Sequence, residues 1–330
     1  MPVAVSLTLL LACCGGGGAG GSAGAVNTTP VVVGEGVPDA VGPLFGGPVT
    51  IDLRPAFDDA EDPNGLTLAV VALTGASVAT AILEVGAERL VWTPLAPGVA
   101  EVVVRATDPE GRSVDDAATL TVTATVVTID LDATADATLY PDTISANGAG
   151  DHVFVGTVAG SAPLPRRGVL RFDVEALPAD GIVLEATLLL EITRAPFIGP
   201  AAAFAAHRLT RAFEEGTTDA EANEGTGAPA APGDATWTHA RWPSDAWATP
   251  GGDFDPVPSG LDDPSVAEPS VALIGDGLAF DVRRWRAGEP AHGWIVLGNE
   301  TLTRTVRRFG SRTHPESDRR PRLRIHVAVP

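Results

Sequence analysis

The chain has 330 residues, 42 acidic against 22 basic, and a formal net charge of −20. Every basic residue is Arg, and the acidity excludes a nucleic-acid binder, which needs a basic face, and opposes docking on anionic lipid headgroups. Cys13 and Cys14 are the only cysteines, so the body of the chain has no disulfide, thiolate metal site or cysteine nucleophile, and a prior of roughly 100–200 residues per domain predicts two domains.

The first element is an apolar run from Val3 to Ala12, followed by Cys13, Cys14 and a glycine tract. The run is well short of the roughly 20 residues that span a bilayer, which suits the h-region of a signal peptide. Leu10-Leu11-Ala12-Cys13 resembles the lipobox of bacterial lipoproteins, although residues 1–12 lack the usual Lys or Arg. The resemblance implies cleavage ahead of Cys13, with Cys14 as the alternative, and diacylglycerol on its thiol. Residues 1–13 are then signal and lipobox, and the protein is exported and lipid-anchored to a bacterial membrane or cell surface. Several acyl chains give stable anchoring where one is marginal. Residues 14–30 read as a Gly-rich flexible tether.

Residues 31–125 predict a small β-sandwich. Val49–Leu53, Leu66–Val70, Arg89–Trp92, Glu101–Arg105 and Thr119–Thr123 are short β-branched runs separated by Pro, Gly, Asn and Asp clusters. Two turns are acidic, one at Asp58-Asp59-Ala60-Glu61-Asp62-Pro63-Asn64-Gly65 and one at Thr107-Asp108-Pro109-Glu110-Gly111. This pair resembles the turns of bacterial cadherin-like and dystroglycan-type immunoglobulin-like domains. Hard cations take roughly six to eight oxygens from carboxylates, carbonyls and water. Asp58, Asp59, Glu61, Asp62 and Asp108 are therefore the candidate calcium ligands, against the plainer reading of solvated turns. Asp130, Asp132 and Asp136 form a weaker candidate further on.

Residues 128–330 predict a second, larger β domain. Val169, Leu170 and Phe172 interleave with polar Arg171 and Asp173, and Leu323, Ile325 and Val327 with Arg322, Arg324 and His326. Such alternation marks half-buried antiparallel strands. Ala135-Asp136-Ala137-Thr138-Leu139-Tyr140, Asn147-Gly148, Val155-Gly156, Arg167 to Pro178, Ala186 to Leu190, Thr236-Trp237, Phe309-Gly310-Ser311-Arg312 and Pro321 to Ile325 follow in order. Together they resemble the DNRLRE family, also known as carbohydrate-binding module family 96. Thr313 departs from the Glu that usually follows Ser-Arg in that family. The resemblance implies a jelly-roll-like β-sandwich and, in at least some members, carbohydrate binding.

The long segment 214–262 carries few strand signals yet holds three of the six Trp within residues 237–247. Loops of this length inside compact domains are functional or disordered, and the aromatics argue for packing. No Gly-x-Ser-x-Gly elbow or His-Glu-x-x-His spacing occurs, and no carboxylate pair is singled out for glycoside cleavage, so no catalytic residue is assigned. Aromatic faces stack on pyranose rings, and Arg forks bind carboxylates at two points. Trp242 and Trp247, set among Pro, Ser and Asp, are the candidate ligand-binding aromatics, with Arg166 and Arg167 as candidate anion ligands. Trp285 and Trp294 read as core. Residues 301–330 carry 8 Arg and 2 acidic residues, and internal pairing is their default role. The expected protein is all-β, an immunoglobulin-like or cadherin-like sandwich followed by a jelly-roll-like one. Its expected function is non-catalytic binding of a cell-surface polysaccharide, an acidic one suiting the arginines. The rival reading is a spacer or adhesion protein without a small ligand.

Overall fold

A computed structural model describes residues 26–62, 64–84, 86–141, 144–195, 203–262 and 270–330. Cys13 and the lipobox lie outside the described residues. The chain adopts the all-β class expected. It divides into two compact units: the chain to Val41 with Pro48–Thr93 and Val99–Thr121, and Gly42–Gly47, Pro94–Gly98 and Val122–Pro330. Among the described residues no helix is long and apolar enough to cross a membrane.

The first unit is built mainly on two sheets, with a short ribbon pairing Val31–Val32 and Phe57–Asp58. One orders the strands Ala40–Pro43, Ser113–Thr123, Gly98–Thr107 and Thr67–Thr74, and the other Val49–Asp52, Arg89–Pro94 and Ala79–Glu84. Alternate residues are buried, as period-two strands with one face in a core require: Leu90 and Trp92 in one strand, Val102, Val104 and Ala106 in another, Ala118 and Leu120 in a third.

The second unit is a ten-stranded closed sheet. Thr125–Leu139 divides its hydrogen bonds between two partners. Thr125–Asp132 pair with Arg322–Val329, and Ala133–Leu139 pair with Arg167–Phe172. A register shift between Ala133 and Ala135 marks the handover, the local bend that lets one strand pair with two partners. The circuit continues through Ile182–Arg194, Ser270–Ile274, Phe254–Asp262, Ala205–Leu209 and Trp294–Leu297 back to Pro165–Phe172. His152–Thr157 and Arg307–Gly310 pair with each other and link Pro165–Phe172 to the end of Ile182–Arg194. The enclosed core includes Val153, Val155, Leu170, Leu188, Leu190, Trp294, Phe309 and Leu323.

The helix Asp276–Arg286 was not among the expected elements. Its buried Leu278, Ala279, Val282 and Trp285 follow helical spacing and join the same core. Arg283 and Arg286 donate to the Val183 and Gly181 carbonyls, fixing its far end. The helix also carries a buried carboxylate. Asp281 accepts from Ser259 Oγ at 2.5 Å and Trp294 Nε1 at 2.9 Å, and pairs with Arg208 at 3.2 Å.

Segment 214–262 is packed. Leu209, Phe213, Ala235, Ala240 and Trp247 form a second cluster with Ala135, Ala137, Leu139, Val169 and Ile295 of the sheet. Buried Asp234 accepts from the amides of Thr217 and Ala231 at 2.8 and 2.6 Å and ties the segment's turns together. The aromatics that argued against disorder are thus the means of burial.

Candidate functional site

Three strand segments of the second unit lie side by side: His152–Thr157, Arg307–Gly310 and the end of Ile182–Arg194. Val153, Val155, Phe309 and Ile192 point into the core. Alternation turns Phe154 and Arg308 to the other face, and a register shift between Ile192 and Arg194 brings Arg194 to the same cleft. Phe154 is the register partner of Arg308, and Arg308 that of Arg194, so the three side chains form one row across three strands. They line a cleft of about 520 Å³ together with Val158, Ala195, Gly225 and Val306.

Like charges directly opposite on neighbouring strands repel. Arg308 Nε donates to Thr193 Oγ1 at 2.9 Å, and Thr193 Oγ1 donates back to the Arg308 carbonyl at 3.1 Å. Among the described residues no carboxylate pairs with Arg194 or Arg308. Burial pushes the Arg308 guanidinium below its ordinary pKa, and the Arg194 charge adds to the effect while Glu224 opposes it. Several other arginines of this unit do meet acids: Arg167 with Glu300, Arg208 with Asp255 and Asp281, Arg312 with Glu215, Arg324 with Asp130. Glu224 precedes Gly225 in the cleft wall, and its carboxylate holds His152 Nδ1. Burial pushes the Glu224 carboxyl up, but the hydrogen bond and charge of His152, with bonds from Asp151 and Asn147, leave it below the usual range. An apolar cleft with an aromatic floor at one end and two charge-unsatisfied guanidinium groups at the other is chemically suited to an anion on an amphipathic body.

The residues singled out from sequence lie elsewhere. Trp247 is 4% exposed and donates from Nε1 to the Thr236 carbonyl at 2.9 Å, so it offers no face to a ligand; this corrects the expectation of an exposed ring. Trp242 is half-buried, edge-on to His239 with ring centroids 4.7 Å apart. Arg166 is 2% exposed, donates to the Gly225 and Pro165 carbonyls and lies over the Tyr140 ring. Arg167 makes a two-point pair with Glu300 at 2.7 and 2.8 Å and stacks on Trp237. Both arginines are thus committed to internal partners and are not poised as anion ligands. Arg308 and Arg194, with Phe154, line the cleft instead. One signal for Phe154 was in the chain, since it stands out of phase with the inward Val153 and Val155.

The acidic turns of the first unit also have internal work. Asp59 is 2% exposed, and its Oδ1 accepts the amides of Glu61 and Asp62 at 3.0 and 2.9 Å. Asp58 Oδ1 accepts the Asp59 amide at 3.0 Å. Asp108 accepts from the Arg112 amide at 2.7 Å and Asn27 Nδ2 at 2.9 Å, and Glu61 accepts from Thr28 Oγ1 at 2.7 Å. Asp59 Oδ2 is buried without a partner. Among the described residues no three His, Cys, Asp or Glu side chains are grouped to hold a metal ion. In the weaker set, Asp130 pairs with Arg324 and Asp136 is fully buried.

Several motif residues of the second unit meet in a buried polar cluster. The Asp136 carboxylate accepts the Arg312 amide at 2.6 Å, the Glu215 carboxylate accepts the Asp136 amide at 2.9 Å, and the Arg312 guanidinium pairs with Glu215. Buried Asn147 accepts the Ala220 amide at 2.9 Å, and buried Ser311 donates to the Gly150 carbonyl at 2.7 Å. These residues fasten the root of segment 214–262 to the sheet.

No family model and no curated protein matches the chain. Among solved structures it is similar to one described as a carbohydrate-binding module from the β-sandwich superfamily with promiscuous specificity, at 13% identity over 92% of this chain and 94% of that one, TM-score 0.18. It is also similar to a Clostridium perfringens ZmpB structure containing CBM51-2 in complex with GlcNAc and INT domains, at 8% identity over 91% and 48%, TM-score 0.19. A third is the C-terminal domain of the Streptococcus agalactiae AgI/II polypeptide BspA, at 11% identity over 91% and 90%, TM-score 0.15. At these values none of them identifies the ligand of this chain.

Proposed function

We propose that the second unit is a non-catalytic polysaccharide-binding module whose ligand is an acidic glycan, held in the cleft of Phe154, Arg308 and Arg194. The row of one aromatic and two acid-free arginines carries this reading. The aromatic face takes the apolar face of a sugar ring, and the guanidinium pair takes a carboxylate that also relieves their mutual repulsion. Lipidation at Cys13, with the tether after it, would hold the module at a bacterial cell surface, and the first unit would serve as its spacer.

Affinity electrophoresis against alginate, pectin and a neutral glucan tests the reading. Retardation by an acidic polymer, weakened by salt and lost on Arg308→Ala, is the expected result. Equal mobility in every gel would leave the spacer role as the better account.

A further inference from the structure

The cleft is charged at one end only. Resting on the acidic-glycan reading above, we propose that it selects a glycan in which a carboxylated sugar alternates with an uncharged one, over a polymer with a carboxylate on every ring. Neighbouring strands are spaced about 4.8 Å apart, so the row from Arg194 to Phe154 spans roughly 10 Å, about the length of two linked pyranose rings. A cleft of about 520 Å³ suits a short unit of this size. A carboxylate placed between Arg194 and Arg308 sets the next ring over Phe154, where Val158, Val306 and Gly225 complete the lining. None of these supplies a cation. A second carboxylate there would give up its water without a partner. It would also approach Glu224, whose backbone adjoins Gly225 and whose carboxylate is fixed by His152. An uncharged ring loses little on the same surface. Selection of this kind rests on a repulsive element as much as on an attractive one.

Titration calorimetry of the full chain would compare three oligosaccharides of equal length. They are a hyaluronan fragment, in which glucuronate alternates with N-acetylglucosamine, an oligogalacturonate, and a neutral cello-oligosaccharide. The alternating acid is expected to bind at least about tenfold more tightly than the homopolymer, a margin of one decade in Kd. Glu224→Gln, which keeps a hydrogen-bonding group beside His152, is expected to raise oligogalacturonate affinity several-fold. Equal or tighter binding of oligogalacturonate to the unsubstituted chain overturns the selectivity and leaves the acidic-glycan reading standing. Heat from neither acidic oligosaccharide overturns that reading and this proposal together.

Discussion

Arg194 and Arg308 stand opposite each other on neighbouring antiparallel strands, and neither is paired with a carboxylate among the described residues, although the Glu224 charge acts on Arg308. This is so in a chain whose net charge is −20. Like-charge cross-strand pairs cost about 0.2–1 kcal/mol, and the fold carries that cost. Arg194→Gln should therefore raise the unfolding midpoint slightly while weakening acidic-glycan binding. Denaturant unfolding and calorimetry on the same variant separate the two effects. A variant that loses both stability and binding would point to a packing role for Arg194. Affinity of the parent should fall as salt rises, since exposed charges are screened over roughly 8–10 Å at physiological ionic strength.

Phe154 is the register partner of Arg308 and faces the cleft, whereas its chain neighbours Val153 and Val155 face the core. Phe154→Ala should lower affinity for acidic and neutral ligands alike and leave the unfolding transition nearly unchanged. Trp294→Ala is the contrast, since that ring is fully buried and a change of this kind costs about 3–5 kcal/mol. Loss of stability on Phe154→Ala comparable to that of Trp294→Ala would remove Phe154 from the binding surface.

The strands were legible because period-two alternation survives in short segments such as Val169 to Phe172 and Leu323 to Val327. The helix was less so. Its apolar stripe is short, and Gly277 sits in its first turn. The site was hidden for a different reason. Phe154, Arg194 and Arg308 come from segments far apart in the chain, and only the register of a closed sheet brings them into one row. The expectation that the basic C-terminal segment pairs internally holds for Arg312, Arg319, Arg322 and Arg324, while Arg308 in the same segment faces the cleft. Aromatic density drew attention to Trp242 and Trp247, but that density served to bury segment 214–262 against the sheet.

Trp247 supplies a test of that packing. Its ring lies in the second cluster and its Nε1 is bonded to Thr236, so Trp247→Ala should destabilise by about 3–5 kcal/mol. Near-ultraviolet circular dichroism should also change as the segment loosens. A variant of parental stability with impaired glycan binding would restore Trp247 to the ligand face.

The acidic turn at Asp59 is held by amide hydrogen bonds, which contribute about 0.5–1.5 kcal/mol each. Asp59→Ala should lower stability by about 1–3 kcal/mol on this basis. The loss should be the same in chelator and in millimolar calcium, because the neighbouring carboxylates already accept from Arg112, Asn27 and Thr28. A midpoint that rises with calcium in the parent and not in the variant would return the turn to metal binding, with the free Asp59 Oδ2 as the obvious ligand.

Asp136 gives the clearest dependence on pH. It is fully buried, its Oδ1 has no partner, and burial pushes its carboxyl up to about 8, with the Glu215 charge adding to the shift and the Arg312 amide and charge opposing it. In the unfolded chain the group titrates near about 3.9. The folded state therefore binds the proton more tightly across that interval. The associated stability is fully present below about pH 4 and is lost as pH rises toward 8. Asp136→Asn keeps an acceptor for the Arg312 amide and removes the titration. Relative to the parent, the variant should gain stability progressively from pH 4 to pH 8, reaching on the order of a few kcal/mol. Denaturant unfolding at a series of pH values checks this through the difference between the two proteins, which cancels the other titrating groups. A difference that stays flat across the series would show that Asp136 is ionised in the folded chain and solvated or paired there.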